Sequence, residues 1–220
     1  MRFVELSHEI HAGMVTYPGL PGPEITPHLT REASRGVYAP GTEFAIDRIS
    51  LVGNTGTYLD SPFHRYADAG DLASLPLESL ADLPAVVVAV TDRAITPEHL
   101  RGRELGGCAV LLYTGWDRYW RTGTYGTEAP YLTEEAARWI REAGARLVGI
   151  DSVNVDCTDG TERPAHSVLL AAGIPVVEHL TGLGALPGTG ARFTAVPPRL
   201  AGFGTFPVRA YAAVPDGHAR

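Results

Sequence analysis

The sequence is short of cysteine, of basic runs and of long apolar stretches, and each shortage removes a class of function. Two cysteines, Cys108 and Cys157, form no Cys-x-x-Cys pair, which excludes a disulfide framework and a cysteine zinc cage. Cys108 belongs to an apolar run and reads as a buried free thiol. The 18 Lys and Arg stand against 25 Asp and Glu, a formal net charge of -7. With no basic cluster, neither nucleic acid nor an anionic membrane surface is an expected partner. The longest apolar run, Ala85 to Val90, is far too short to cross a bilayer. The opening Met1-Arg2-Phe3-Val4-Glu5 has no signal-peptide core, so a reduced, cytoplasmic setting is expected.

Several catalytic and binding signatures are also missing. Gly182-Leu183-Gly184 is not a dinucleotide fingerprint, because the next glycine falls at Gly188 without a strand-turn-helix frame. Asn154, Asp156 and Asp159 are polar and closely spaced, but Gly160 is misplaced for a calcium loop. No Gly-x-Ser-x-Gly elbow occurs. There is no internal repeat and no low-complexity tract.

What remains is an ordinary globular composition, 45% apolar and 20% charged over 220 residues, enough for one domain with a sizeable core. A single domain over 1–214 with a loose tail at 215–220 is expected. Phe44 to Leu51 alternates apolar and polar and predicts a half-buried strand. Ala85 to Val90 and Cys108 to Tyr113 are continuous apolar runs, read as buried strands. Gly13 to Pro27 is rich in proline and glycine and predicts a long loop over the site. Thr133 can cap a helix with Glu134 and Glu135 in its first turn, Ala136, Ile140 and Ala143 on its buried face, and Gly144 at its end. A short helix is expected over Ala165 to Ala172, with further strands at Arg146 to Ile150, Val176-Val177, Phe193 to Val196 and Val208 to Val214. Strands outnumber helices, so the class is mixed α/β, and the long crossover helices of a doubly wound sheet are lacking.

Chemistry concentrates in Asn54-Thr55-Gly56-Thr57-Tyr58-Leu59-Asp60-Ser61-Pro62-Phe63-His64. A carboxylate and an imidazole four apart in a Gly/Pro-punctuated loop can face one pocket, and histidine exchanges protons near neutrality. The plainer alternative is that Asp60 caps a turn and His64 packs beneath it. Glu178 ends an apolar strand, where a carboxylate is costly unless paired or bound to a metal. His166 shares a helical face with Leu169 and Leu170, so a core histidine is the plain alternative there. Tyr113, Trp116, Tyr119, Trp120 and Tyr125 crowd one stretch and could wall an aromatic pocket or simply pack together.

The segment resembles the His-x-Gly-Thr-His-x-Asp-x-Pro-x-His signature of the cyclase family that includes bacterial kynurenine formamidase and isatin hydrolase. Gly56, Thr57, Asp60, Pro62 and His64 match; Asn54 and Tyr58 stand where the family has its first two histidines. The opening Val4 to Ile10, Thr16-Tyr17-Pro18-Gly19, the central Leu147 to Asp156, the segment from His166 to Leu180, and Phe206 to Ala210 follow in the family's order, so the resemblance runs from Phe3 to Val214. It implies a swivelling β/β/α fold, assembled as a homodimer or larger homo-oligomer. It also implies Asp60, His166 and Glu178 as metal ligands, His64 as catalytic acid/base, and Tyr17 in the substrate pocket. Two metal positions are implied for the formamidase-like members, and Asn54 and Tyr58 are poor replacements for the histidines of one of them. At most a single divalent metal, zinc or manganese, is therefore expected, and no metal at all is the alternative.

Two catalytic readings follow, with a third of a different kind. In the first, His64 is a general base oriented by Asp60, while Tyr58 and Asn54 stabilise charge on oxygen during ring closure or rearrangement of a carbonyl-rich, polyketide-like small molecule. The second is metal-dependent hydrolysis of an amide, of the arylformamidase or isatin hydrolase type. The third is a non-catalytic ligand-binding protein that has lost its chemistry.

Overall fold

In the computed structural model, residues 1–217 are described; the end of the expected tail, 218–220, lies outside them. In chain order the elements are β1 (Arg2–Glu5), β2 (Glu24–Leu29), α1 (Arg31–Ser34), β3 (Ile46–Ser50), β4 (Tyr58–Asp60), β5 (Leu83–Ala89), β6 (Ala94–Ile95), β7 (Ala109–Tyr113) and β8 (Tyr131–Leu132). They continue with α2 (Glu134–Glu142), β9 (Leu147–Ile150), α3 (Pro164–Ala171), β10 (Val176–Glu178), β11 (Arg192–Thr194), β12 (Thr205–Pro207) and β13 (Tyr211–Val214). Nine strands form one sheet in the order β1-β13-β11-β5-β7-β9-β10-β4-β12. Its centre, β5-β7-β9-β10, is parallel, and antiparallel strands flank it on both sides.

The continuous apolar runs are explained by burial on both faces. Val86, Val88, Val110, Leu112, Val148, Ile150 and Val176 point to one core, which α2 and α3 cover with Ala136, Ala137, Ile140, Leu169 and Leu170. The alternate residues, among them Val87, Leu111, Leu147 and Val177, point to a second core. That second core also takes in Leu59 of β4 together with Phe193 of β11 and Ala212 of β13. Strands from opposite flanks of the sheet thus meet in one cluster, so the sheet curls around it. This is the mixed α/β, swivelling β/β/α architecture that the resemblance implied.

Thr133 caps α2 as expected, accepting from the Ala136 N–H, and Gly144 follows in the left-handed conformation. The buried face differs by one residue: Ala137 is buried and Ala143 is exposed, because α2 ends at Glu142. Cys108 lies just before β7 and is half-buried, not buried. Three expectations are corrected more deeply. The half-buried strand of Phe44 to Leu51 is β3, exposed along its whole length. It pairs only with β2 in a two-stranded ribbon outside the main sheet. The expected loop of Gly13 to Pro27 supplies the start of that ribbon. Tyr58 to Asp60, read as loop, is the buried strand β4, paired with β10 on one side and β12 on the other.

Candidate active site

Pairing of β10, β4 and β12 decides which side chains meet. Glu178 lies opposite Tyr58, and Val176 opposite Asp60; Thr205 lies opposite Asp60 on the other side. Directly opposed residues share a face of the sheet, and successive residues alternate. Tyr58, Asp60, Glu178 and Thr205 therefore project together, away from the face of Leu59, Val177 and Phe206. The chain then turns at Pro62–His64, a short 3-10 segment opened by Pro62 and held by the Ser61 N–H to Gly204 O bond of 2.7 Å. Proline at the first position suits such a turn because its missing N–H has no partner there anyway. His64 is thereby brought over the end of β4, with 37% of its side chain exposed.

His166 comes from the first turn of α3, which packs beside β10 and the Pro62–His64 segment. Its position is set by Asp156. One oxygen of that carboxylate accepts from the Ala165 N–H at 2.6 Å. The other accepts from the His166 N–H at 3.0 Å and pairs with His166 Nδ1 at 2.7 Å. A carboxylate is favoured at a helix N-terminus, and here it also holds the imidazole proton on Nδ1. Nε2 is the ring nitrogen turned toward the other two carboxylates, 3.5 Å from both Asp60 Oδ2 and Glu178 Oε1. Glu178 Oε1 accepts from the Val155 N–H at 2.6 Å. Its Oε2 accepts from the Tyr58 hydroxyl at 2.6 Å and from Asn154 Nδ2 at 3.4 Å. His179, directly after it, adopts φ 56°, a left-handed backbone rare outside glycine and a local cost that ends β10 at the site.

Asp60, His166 and Glu178 offer donor atoms all within 4.8 Å of one another, and all three residues are buried. Asp60 Oδ2 and His166 Nε2 are buried without a hydrogen-bond partner. Such orphans are costly in a dry interior and are what a cation would satisfy. One imidazole and two carboxylates suit zinc or manganese, and three protein ligands leave a position open. The residues fit one divalent ion. The Asp156–His166 contact supplies the outer support that metal-binding histidines usually have.

They do not fit a second. Tyr58 is buried and its phenol is pushed well above its usual range, by burial first and by Glu178 and Asp60 next. It stays protonated and donates a hydrogen bond to Glu178 instead of offering a phenolate. Burial raises the Glu178 carboxyl to about 7. Burial alone would lower His166, but Glu178 foremost, then Asp156 and Asp60, raise it to about 10. The two groups titrate as a unit, and the metal-free site retains a proton that a cation would displace.

His166 and Glu178, with His64, Asn54, Tyr58 and Tyr17, border one region, and the third ligand candidate, the fully buried Asp60, lies 3.5 Å from His166 Nε2. A cavity of about 440 Å³ is lined by Tyr17, Asn54, Tyr58, His64, His166 and Glu178, with Arg65 and Arg163 at its rim, a size typical of small-molecule sites. The aromatic stretch divides. Tyr125 packs with Trp116, Tyr119 and Trp120 against Tyr17, and its hydroxyl bonds His179 Nδ1 at 2.9 Å. Tyr113 joins the second core. The group around Tyr125 backs Tyr17, which lines the cavity. The sequence reading weighed Asn154 and Asp156 only for a calcium loop and set them aside, and it missed Thr205, Arg65 and Arg163. Asp156 acts across ten residues onto α3, and Thr205 meets Asp60 only through strand pairing, so spacing carries no signal for either.

The chain is similar to several known proteins. Kynurenine formamidase of Geobacillus thermodenitrificans is 28% identical over 180 residues, 81% of each chain. Isatin hydrolase A from Labrenzia aggregata, solved with benzyl benzoate, superposes with a TM-score of 0.82 at 26% identity, covering 97% of this chain and 93% of that one. A structure from Bacillus stearothermophilus described as a predicted metal-dependent hydrolase superposes with a TM-score of 0.74 at 25% identity, over 96% and 97% of the two chains. The family model described as Putative cyclase matches residues 4–157, a stretch that holds β4, the Pro62–His64 turn and Asp156. On that match the chain belongs to the Putative cyclase family.

Proposed function

We propose that the chain is a hydrolase that depends on a single divalent metal and cleaves the C–N bond of an aryl-linked amide, with N-formylkynurenine and isatin as the substrates to try first. One observation carries the reading: a cradle for one cation, Asp60–His166–Glu178, opens through His166 and Glu178 onto the cavity that His64 also lines. When bound there, zinc or manganese would supply Lewis acidity toward a carbonyl or water oxygen. His64 takes a proton from the attacking water and returns it to the amide nitrogen as the C–N bond breaks, leaving an amine and a carboxylic acid that ionises by releasing the water's second proton to solvent. Arg65 and Arg163 give the rim a positive character that suits a substrate carrying a carboxylate; the Arg163 guanidinium is otherwise held by the backbone carbonyls of Cys157, Gly160 and Glu162. Tyr17 offers the ring of the substrate an aromatic neighbour.

Ring closure of a polyketide-like metabolite asks Tyr58 to stabilise charge on a substrate oxygen. Its proton is engaged by Glu178, and a kynurenine formamidase and an isatin hydrolase stand among the relatives, so hydrolysis is the better-supported reading. The assembly we propose is a homodimer or larger homo-oligomer. The β2–β3 ribbon supports it, exposing Ile25, Ile46 and Ile49, since a lone two-stranded ribbon is marginal in water. Among the described residues no helix is long and apolar enough to cross a membrane, and a cytoplasmic setting is proposed with the two free cysteines in its support.

The test is turnover of N-formylkynurenine and of isatin by the purified protein before and after chelation, with light scattering on the same sample. Hydrolysis of one of them, lost with the metal and restored by zinc or manganese, is expected at one ion per chain. Absence of both activities in metal-replete protein would sink the hydrolase reading and return ring closure or simple binding to the front.

A further inference from the structure

We infer that Thr205 is a positioning residue that sets the tautomer of His64, through the chain His64–Thr205–Asp60. The inference deepens the hydrolase reading and rests on His64 being its base. Thr205 Oγ1 lies 2.6 Å from His64 Nδ1 and also hydrogen-bonds Asp60 Oδ1. His64 Nδ1 and Asp60 Oδ1 themselves are 3.7 Å apart, too far for a direct hydrogen bond. The hydroxyl is therefore the link between them.

Donor accounting gives the link a direction. A carboxylate only accepts, so the single hydroxyl proton of Thr205 goes to Asp60. The threonine oxygen is then an acceptor, and the group facing it is His64 Nδ1, which must carry the N–H. A neutral imidazole has one N–H, so Nε2 is left as the lone pair that takes a proton. Without the hydroxyl, nothing in this contact holds the proton on Nδ1. Asp60 thus meets the cation site with Oδ2 and the base with Oδ1, by way of Thr205.

The surroundings are shaped for this contact. Strand pairing sets Thr205 opposite Asp60. A Cβ on Gly204 would sit 2.6 Å from His64 N and Cα, and one on Gly53 would overlap the Thr205 carbonyl oxygen. Side chains at either position would push β12 away from the Pro62–His64 turn. Thr205 is 6% exposed, so water does not replace its hydroxyl freely.

The experiment compares wild type, Thr205→Val and Thr205→Ser, each labelled with ¹⁵N-histidine, by NMR at a pH where the imidazole is neutral, as purified and with zinc added. Turnover of N-formylkynurenine is measured on the same samples. Wild type and Thr205→Ser should show His64 protonated on Nδ1. Thr205→Val should lose that preference, with kcat lower by about 10- to 100-fold, the range for supporting partners of a catalytic group, and KM little changed. If valine at 205 does not fold, Thr205→Ala makes the same comparison, leaving only a small void. Retention of the Nδ1–H tautomer without the hydroxyl overturns the inference, as does a serine variant as impaired as the valine one. Wild type that holds the tautomer but hydrolyses no amide sinks the functional reading and leaves the relay standing.

Discussion

The strands β10, β4 and β12 have two faces made from alternating residues of the same three segments, and the two could hardly be less alike. One face carries Leu59, Val177 and Phe206 and joins the second core. The other carries Tyr58, Asp60, Glu178 and Thr205, all of them buried. Burial therefore does not separate structure from chemistry here. Pairing does. On the polar face almost every oxygen has a partner, and the exception, Asp60 Oδ2, converges on one point with the unpartnered His166 Nε2 of α3. The apolar face stabilises the fold by removing hydrocarbon from water. The polar face carries a local penalty of about 1–3 kcal/mol for each buried group left unpaired, which a bound cation would offset.

The sharpest way to break this contrast is Asp60→Asn. It removes one of three donors and one of the crowded carboxylates. Metal binding should fall below detection by calorimetry and turnover should drop to background. The metal-free variant should nevertheless melt higher than metal-free wild type, because relief of about 1 kcal/mol raises Tm by roughly 2–4 °C at this chain length. A lower melting point in the metal-free variant would mean that the polar face holds the fold together as the apolar one does.

His64→Ala comes next. A general acid/base contributes about 10²–10⁴-fold, and turnover should fall by that much, with the cooperative melt close to that of wild type. His64 sits at the rim with a third of its side chain in solvent, so little core packing depends on it. Collapse of the melt with full activity in the folded fraction would make it a core residue. Leu59→Ala, one residue from Asp60 in β4, should give the mirror image. It should cost about 2–5 kcal/mol of stability, as buried leucine truncations do. The protein that remains folded should keep its metal and its turnover. Chemical denaturation with activity measured on the native baseline tests both variants together.

How much of this was legible beforehand follows from the range over which each signal acts. The buried strands β5 and β7, the cap at Thr133 and the fold class are local or compositional, and the sequence carried them plainly. Asp60, His64, His166, Glu178 and Tyr17 were reachable because the resemblance supplied the long-range arrangement that spacing cannot. The strand at Tyr58 to Asp60 was missed because three residues between Gly56 and Pro62 look like a loop; its strand character comes from neighbours more than a hundred residues away. The ribbon of β2 and β3 was misjudged for the opposite reason. Its alternation predicts a buried face, and the chain by itself provides nothing to bury it against. Asp156 and Thr205 act across turns and strand pairs, and no pattern in the sequence marks them.

Tyr58→Phe should have the smallest effect of these changes and draws the finest line across the contrast. The ring stays, so packing is conserved, and a single hydrogen bond to Glu178 Oε2 is lost. Glu178 keeps the Val155 N–H and is left with the long contact from Asn154 on the affected oxygen. A bond of this kind contributes about 1 kcal/mol, so metal affinity should weaken by no more than about tenfold. The pH dependence follows from the sign. Burial already raises the Glu178 carboxyl to about 7, and the phenol acts to lower it. Removing the phenol lets the carboxyl rise further. A raised carboxyl is protonated over a wider range, and the proton competes with the cation on the acid side. The loss of affinity should therefore be larger at pH 6.5 than at pH 8.5, where the carboxylate is free in both proteins. Equal affinity at both values would show that Tyr58 merely fills space. A loss as complete as that of Asp60→Asn, at every pH, would show that the phenol oxygen itself takes part in holding the metal, and Tyr58 would then count as a ligand and no longer as the support of one.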